Sequence, residues 1–426
     1  MNDIIEDLFK IYLSSIDSYN AKIYQVVNDK YTIIDKSMLA VYLYVKILED
    51  RNEKNEKATD VLSNYLLRQI IFSETGNLSI EISDKSKIEL YNEILDKLII
   101  EKFEYKNRIM KNLKYNYKNI EFNKYNLLID FLEDVAEYSI FNKMFSRGNK
   151  ESEIYILNSK NKIVNNNIDK NDYFYNEKNE IIHLLKKESF FESQYGNLVN
   201  VVLNLKEVYR YSQITTQLPE NVLLHQYTVT VMSLIFAEYC NNKLEEKIDI
   251  YSILVKSLFH DFGEYKGNEI ITGFKNYNEI TKKMFAEIEE KDEEDLKEKI
   301  GENLYEIISK YKNDAEGYIS EIIDKILGIM KLWVEVGYFN NNNFIKTINA
   351  VYQERFKRFL RIENIDRLKN KDFYINLLRE YYIYIKEHLM EKDLKYFFKY
   401  FTEEELIEFR NEIELLKNEP SKFLKM

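Results

Sequence analysis

Two of the four histidines in this chain of 426 residues stand inside apolar segments, where a polar ring needs a reason to be. His225 lies in "VLLHQYTV" and His260 in "SLFHDFGEY", directly before Asp261 and four residues before Glu264. Four residues make about one helical turn, so a continuous helix places His260 and Glu264 on one face with Asp261 roughly 100° around. Asp324 interrupts "EIIDKILGIM", where a carboxylate is costly without a cation or a partner. Together His225, His260, Asp261 and Asp324 offer two neutral imidazoles and two carboxylates, a set suited to one divalent ion such as Mn2+, Fe2+, Co2+ or Zn2+. The same residues also read as satisfied core histidines beside capping or salt-bridged carboxylates, and spacing alone leaves both readings open. His183 and His388 lie among Lys and Glu ("IIHLLKKE", "IKEHLMEKD") and read as surface residues.

The elements that must position these residues are helical. Only two prolines and ten glycines occur, so long helices are barely interrupted, and the fold class expected is all-α. Residues 1–145 read as successive amphipathic helices, among them "DKSMLAVYLYVKILED" and "NKYNLLIDFLEDVAEYSIFNKMF". From 146 to 190 the pattern dissolves into a segment rich in Asn, Lys, Asp and Glu, read as a linker or surface excursion. Within it "SEIYILNSKNKIV" suits a β-hairpin, two short β-prone runs around a polar turn. Helical periodicity returns over 191–365, with "AEIEEKDEEDLKEKIGENLYEIISKYKN" as a solvated segment between helices, and 366–426 adds a C-terminal helical extension. The halves echo one another: "YNEI" recurs at 91–94 and 277–280, and aligning "IIFSETGN" with "LFHDFGE" sets Ser73 and Glu74 opposite His260 and Asp261.

Composition narrows the function classes. A net charge of −11 argues against a nucleic-acid partner, because a phosphate backbone needs a basic surface. A small anion held by a local metal is compatible with it. The single cysteine, Cys240, excludes an intramolecular disulfide and a Cys-based zinc site. "MNDIIEDLFKIYLSS" lacks the basic start of a signal peptide, and no apolar run approaches the roughly 18 residues of a membrane span, so the expected location is cytoplasmic.

The H…HD…D pattern resembles the HD-domain metal-dependent phosphohydrolases, and its local detail is similar to their bacterial 5'-deoxynucleotidase branch. "LKEVYRYSQITTQLPENVLLHQYTVTVMSL" resembles the segment leading into that branch's first metal histidine, with Arg210-Tyr211 as its arginine and aromatic. "SLFHDFGEYKGNEIITGFKNY" resembles its H-D-x-x-E-x-x-x-G-D-x-x-T-x-x-K run, with Glu264, Thr272 and Lys275 in register. "EIIDKILGIMKLW" resembles the helix with the last metal aspartate, and the likeness spans about 195–365. Three positions depart from the pattern: Tyr211 replaces a Trp, Asn268-Glu269 a Gly-Asp pair, and Leu223-Leu224 a Ser-Glu or Ser-Asp pair.

The resemblance implies an HD-domain helical bundle. With the internal echo it becomes a tandem of a degenerate first copy, with Val41, Ser73-Glu74 and Asp130 at the ligand positions, and an intact second one. It further implies one divalent metal ion (Mn, Co, Fe, Zn or Mg) on His225, His260, Asp261 and Asp324, and Glu264 as the catalytic acid/base. Arg210 and Lys275 would hold phosphate, and Glu269 and Thr272 the sugar. The expected activity is hydrolysis of (deoxy)nucleoside 5'-monophosphates by a monomer with pseudo-dimeric halves or a homodimer. Other phosphoesters (a dNTP, a guanosine alarmone, a cyclic nucleotide or single-stranded nucleic acid) are the alternative substrates, and a non-catalytic nucleotide-sensing protein is the alternative class.

Overall fold

The computed structural model describes residues 22–26, 29–75, 124–166, 168–211, 215–245, 247–267, 278–310 and 314–337, with scattered residues elsewhere. A short antiparallel hairpin, β1 (Lys22–Val26) and β2 (Asp29–Thr32), pairs Val26 with Asp29 and Tyr24 with Tyr31. Among the described residues the other regular elements are helical: α1 (Ile33–Asp50), α2 (Glu56–Thr75), α3 (Lys124–Ser146), α4 (Ser152–Val164), α5 (Tyr175–Lys186), α6 (Gln194–Glu207), α7 (Val222–Asn241), α8 (Ile250–Phe259), α9 (Glu279–Ile300), α10 (Glu302–Ser309) and α11 (Ala315–Gly337). The fold is all-α, as composition requires. Among the described residues, no helix is long and apolar enough to cross a membrane.

Two helices form the centre. Helix α1 opens on a capping box, in which Thr32 N–H donates to Asp35 at 2.7 Å and Asp35 N–H donates to the Thr32 hydroxyl at 3.2 Å. It is buried nearly throughout, including its charged residues Asp35, Lys46 and Glu49. Helix α7 is buried in the same way and packs against α8, α11, α6 and α1. Residues of both halves of the chain therefore share one hydrophobic core.

Three readings change. "SEIYILNSKNKIV" is helix α4 and not a hairpin. Its Ile156, Ser159 and Ile163 recur at three and four residues and face inward against α3, with Tyr155 stacked on Phe141, so tertiary packing overrides β propensity. The rest of the 146–190 segment carries α5, which buries Ile181, Ile182 and Leu185. The acid- and lysine-rich stretch after 278 is itself helix α9, which starts in an Asn278–Thr281 capping box and buries Leu296 and Ile300 near its end. The extension from 366 to 426 is described only at scattered residues.

Candidate active site

The site lies where α7, α8 and α11 meet. Pro219 ends the incoming loop, and Asn221 caps α7 by accepting from Leu224 N–H at 2.8 Å. This starts the helix at Val222 and places His225 in its first turn, 1% exposed. Asp249 caps α8 by accepting from Ser252 N–H at 3.0 Å. Ten residues later α8 stops at Phe259, and a 3-10 turn runs over Phe262–Lys266 until Gly267, at φ +78°, ends it. Gly267 needs the left-handed region that glycine enters without steric cost. His260 and Asp261 thus occupy the break between two helices. The expectation of one continuous helical face for His260 and Glu264 is corrected accordingly: the backbone changes pitch between them. Asp324 comes from the third turn of α11, on a stretch whose neighbours Ile322, Ile323, Ile326 and Leu327 are buried.

Packing brings the four together. One ligand atom from each of His225, His260, Asp261 and Asp324 lies within 4.8 Å of the others. His225 Nε2 is 2.9 Å from Asp324 Oδ1 and 3.6 Å from Asp261 Oδ2, and the two imidazole rings are 5.2 Å apart. His260 Nε2 is 3.1 Å from Asp261 Oδ2. Arg210 closes the group, with Nη1 2.7 Å from Asp261 Oδ2 and Nη2 3.7 Å from Asp324 Oδ1. It is held there because Arg210 N–H donates to the Glu220 carbonyl oxygen at 2.8 Å, in a short antiparallel pairing around Tyr209 and Asn221. Tyr211, next in the chain, has φ +59°, a conformation uncommon for a residue with a side chain.

The donor set fits a divalent ion. Both histidines use Nδ1 away from the centre: His260 Nδ1–H donates to the Ser257 carbonyl oxygen at 2.7 Å, and His225 Nδ1–H to Glu220 Oε1 at 2.9 Å. The acceptors on that side assign the proton to Nδ1 and leave the Nε2 lone pairs directed inward. His260 Nε2 is buried and makes no hydrogen bond. Two nitrogen lone pairs and two carboxylates facing one another are all acceptors, a combination that only a proton or a cation can satisfy. The titration of the group shows the same pull. Burial would push the Asp261 and Asp324 carboxyls up, but His260 with Arg210, and His225 with Arg210, hold them well below the usual range. Burial likewise would lower His260, yet Asp261 raises it to about 9.

The other expected site residues divide. Glu264 is half-buried in the 3-10 turn, and its N–H donates to the Asp261 carbonyl oxygen at 3.1 Å. Glu269, Thr272 and Lys275 lie outside the described residues. His183 is exposed, as its surroundings indicated. In the first half, Val41 is buried and Asp130 is exposed. Sequence reasoning assigned no role to Glu220, the acceptor for His225, although the residue stands in the quoted "PENV" step. It also passed over Lys331 and Glu335, whose signal is charge at helical spacing in an apolar run, "DKILGIMKLWVE".

Comparison with known proteins agrees with this geometry. Residues 197–379 match the family model described as 5'-deoxynucleotidase YfbR-like. The chain is also similar to a 4'-phosphooxetanocin A phosphatase of Priestia megaterium, 25% identical over 184 residues, which cover 42% of this chain and 94% of that protein. No solved structure matches. All four candidate ligands, with Arg210, fall inside the matched segment. Residues 197–379 thus resemble the 5'-deoxynucleotidase-like branch of the HD-domain phosphohydrolases, and the chain is a phosphoric ester hydrolase.

Proposed function

We propose that the protein hydrolyses (deoxy)nucleoside 5'-monophosphates to nucleoside and phosphate, at one divalent ion held by His225, His260, Asp261 and Asp324. The observation that carries this reading is the convergence of four inward-facing acceptor atoms within 4.8 Å, inside the segment that matches a 5'-deoxynucleotidase family. An ion held there would act as a Lewis acid toward a phosphoryl oxygen and would lower the pKa of the attacking water.

The chain's own residues do the rest. Arg210 carries a fixed positive charge beside both carboxylates, and its buried Nε makes no hydrogen bond, so it retains a donor for a phosphate oxygen. Glu264, three residues beyond Asp261 in the 3-10 turn, takes the proton from water or returns one to the leaving 5'-oxygen. Glu269 and Thr272 contact the sugar and Lys275 adds charge at the phosphate, roles that rest on their register with the family run. The first half packs on the catalytic helices as a degenerate copy of the same unit.

The test is phosphate release from a panel of ribo- and deoxynucleoside mono-, di- and triphosphates with Mn2+ or Co2+. Turnover of the 5'-monophosphates that disappears in folded His260→Ala and Asp261→Ala supports the assignment. Unchanged turnover in those variants refutes it, and preference for a triphosphate or a 3'-ester reassigns the substrate.

A further inference from the structure

We propose that Glu220 is the positioning residue of the metal centre, and that Lys331 and Glu335 hold it in place. The inference rests on the metal reading above and adds a supporting layer to it.

Four polar groups form a buried chain that ends on a ligand. Glu335 Oε1 lies 3.2 Å from Lys331 Nζ, Lys331 Nζ lies 4.0 Å from Glu220 Oε2, and Glu220 Oε1 accepts from His225 Nδ1–H at 2.9 Å. Exposures are 0% for Glu335, 1% for Lys331, 6% for Glu220 and 1% for His225. Lys331 also donates to the Leu218 carbonyl oxygen. Glu335 accepts from Gln217 N–H at 2.9 Å, from Leu218 N–H at 3.0 Å and from Asn341 Nδ2 at 2.9 Å. The chain therefore fixes the loop that leads into α7 as well as the carboxylate at its end.

Burying such a set is an expensive way to gain stability, since well-packed apolar side chains of the same volume do at least as well. What the set provides is orientation. With its Nδ1 proton committed to a carboxylate, His225 has one tautomer and one ring angle, and its Nε2 lone pair is aimed at Asp324. Asp324 and Lys331 are seven residues apart on α11, two turns along one face. A single helix thus presents one ligand and anchors the support of another, so the separation between Asp324 and His225 is set by α11 at both ends.

The experiment is Zn2+ titration by calorimetry on the full chain, with circular dichroism as the folding control. Glu220→Leu is expected to weaken Zn2+ binding about 10- to 100-fold. Glu220→Gln, which keeps an acceptor without the charge, is expected to recover part of that loss. In a folded Glu220→Leu variant, wild-type affinity overturns the positioning role while leaving the metal site standing. A wild-type chain that binds no Zn2+ overturns the metal reading and this inference with it. If Glu220→Leu does not fold, nitrogen-15 spectra of the Zn2+-loaded wild-type chain decide, and four histidines keep them readable. His225 protonated at Nδ1 and bound through Nε2 supports the proposal; His225 bound through Nδ1 overturns it.

Discussion

The hydroxyl of Tyr42, on helix α1 of the first half, donates to the Leu258 carbonyl oxygen at 2.6 Å, two residues before His260. It also lies 2.8 Å from the side-chain amide of Gln226, the neighbour of His225. Its ring packs on Phe259 and Phe262, at 5.1 and 5.2 Å between centroids, on either side of the His260-Asp261 pair. A hydroxyl has one proton to give, so with Leu258 as its acceptor the Gln226 amide is best satisfied with Nε2 toward Tyr42. That orientation also gives a partner to a buried Nε2 that otherwise makes no hydrogen bond. One residue outside the segment that matches the family thereby ties together the two helices that carry its histidines.

Tyr42→Phe is accordingly expected to destabilise the whole chain. Removing the hydroxyl leaves a buried carbonyl and a buried amide short of a partner, at a cost of about 1–3 kcal/mol. Urea unfolding measures it, and a midpoint equal to wild type would show that the bridge contributes nothing.

Asp324→Ala is expected to reduce turnover more severely than loss of an outer-shell partner, which costs about 10- to 100-fold. It removes one proposed ligand and the group that faces His225 Nε2 at 2.9 Å. Steady-state kinetics at saturating Mn2+ check this, and Asp324→Asn, similar in shape, should lose nearly as much if charge and not packing is what matters.

Binding of a divalent ion should stabilise the fold, because the four ligands come from α7, α11 and the turn that follows α8 and converge only when those elements are packed. At an Mn2+ concentration 100 times the dissociation constant the gain is about 2.7 kcal/mol. A thermal scan with and without Mn2+ reads it as a rise in Tm, and the rise should vanish in His260→Ala.

Asp35 gives a pH dependence of its own, away from the site. Burial pushes its carboxyl from 3.8 up to about 6, against the lowering pull of Lys206 and the Thr32 cap. A carboxyl whose folded pKa is raised binds its proton more tightly when folded, so its contribution to stability is full below pH 4 and is lost as pH rises through 6. The difference in unfolding free energy between wild type and Asp35→Asn should therefore change by a few kcal/mol across that window and be flat above it. A flat difference from pH 4 to 7 would mean that Asp35 titrates normally.

Much of this molecule is legible in one dimension. The scarcity of Pro and Gly and the three- and four-residue periodicity state an all-α fold, because both report the local backbone. His225, His260-Asp261 and Asp324 stand out because polar residues inside apolar runs demand compensation wherever the chain goes. Local pattern fails where packing chooses the outcome. Helix α4 looks like a hairpin until α3 covers one of its faces, and the helix break at His260 is invisible to a spacing rule that assumes one pitch. Partnership is the part that sequence withholds altogether. Glu220, Lys331 and Tyr42 are ordinary residues where they stand, and they become supports of the site only when α11 and α1 reach α7 and α8. Hydrogen bonds and ion pairs depend on distances of a few ångströms between segments separated by scores to hundreds of residues, and only the folded core sets those distances.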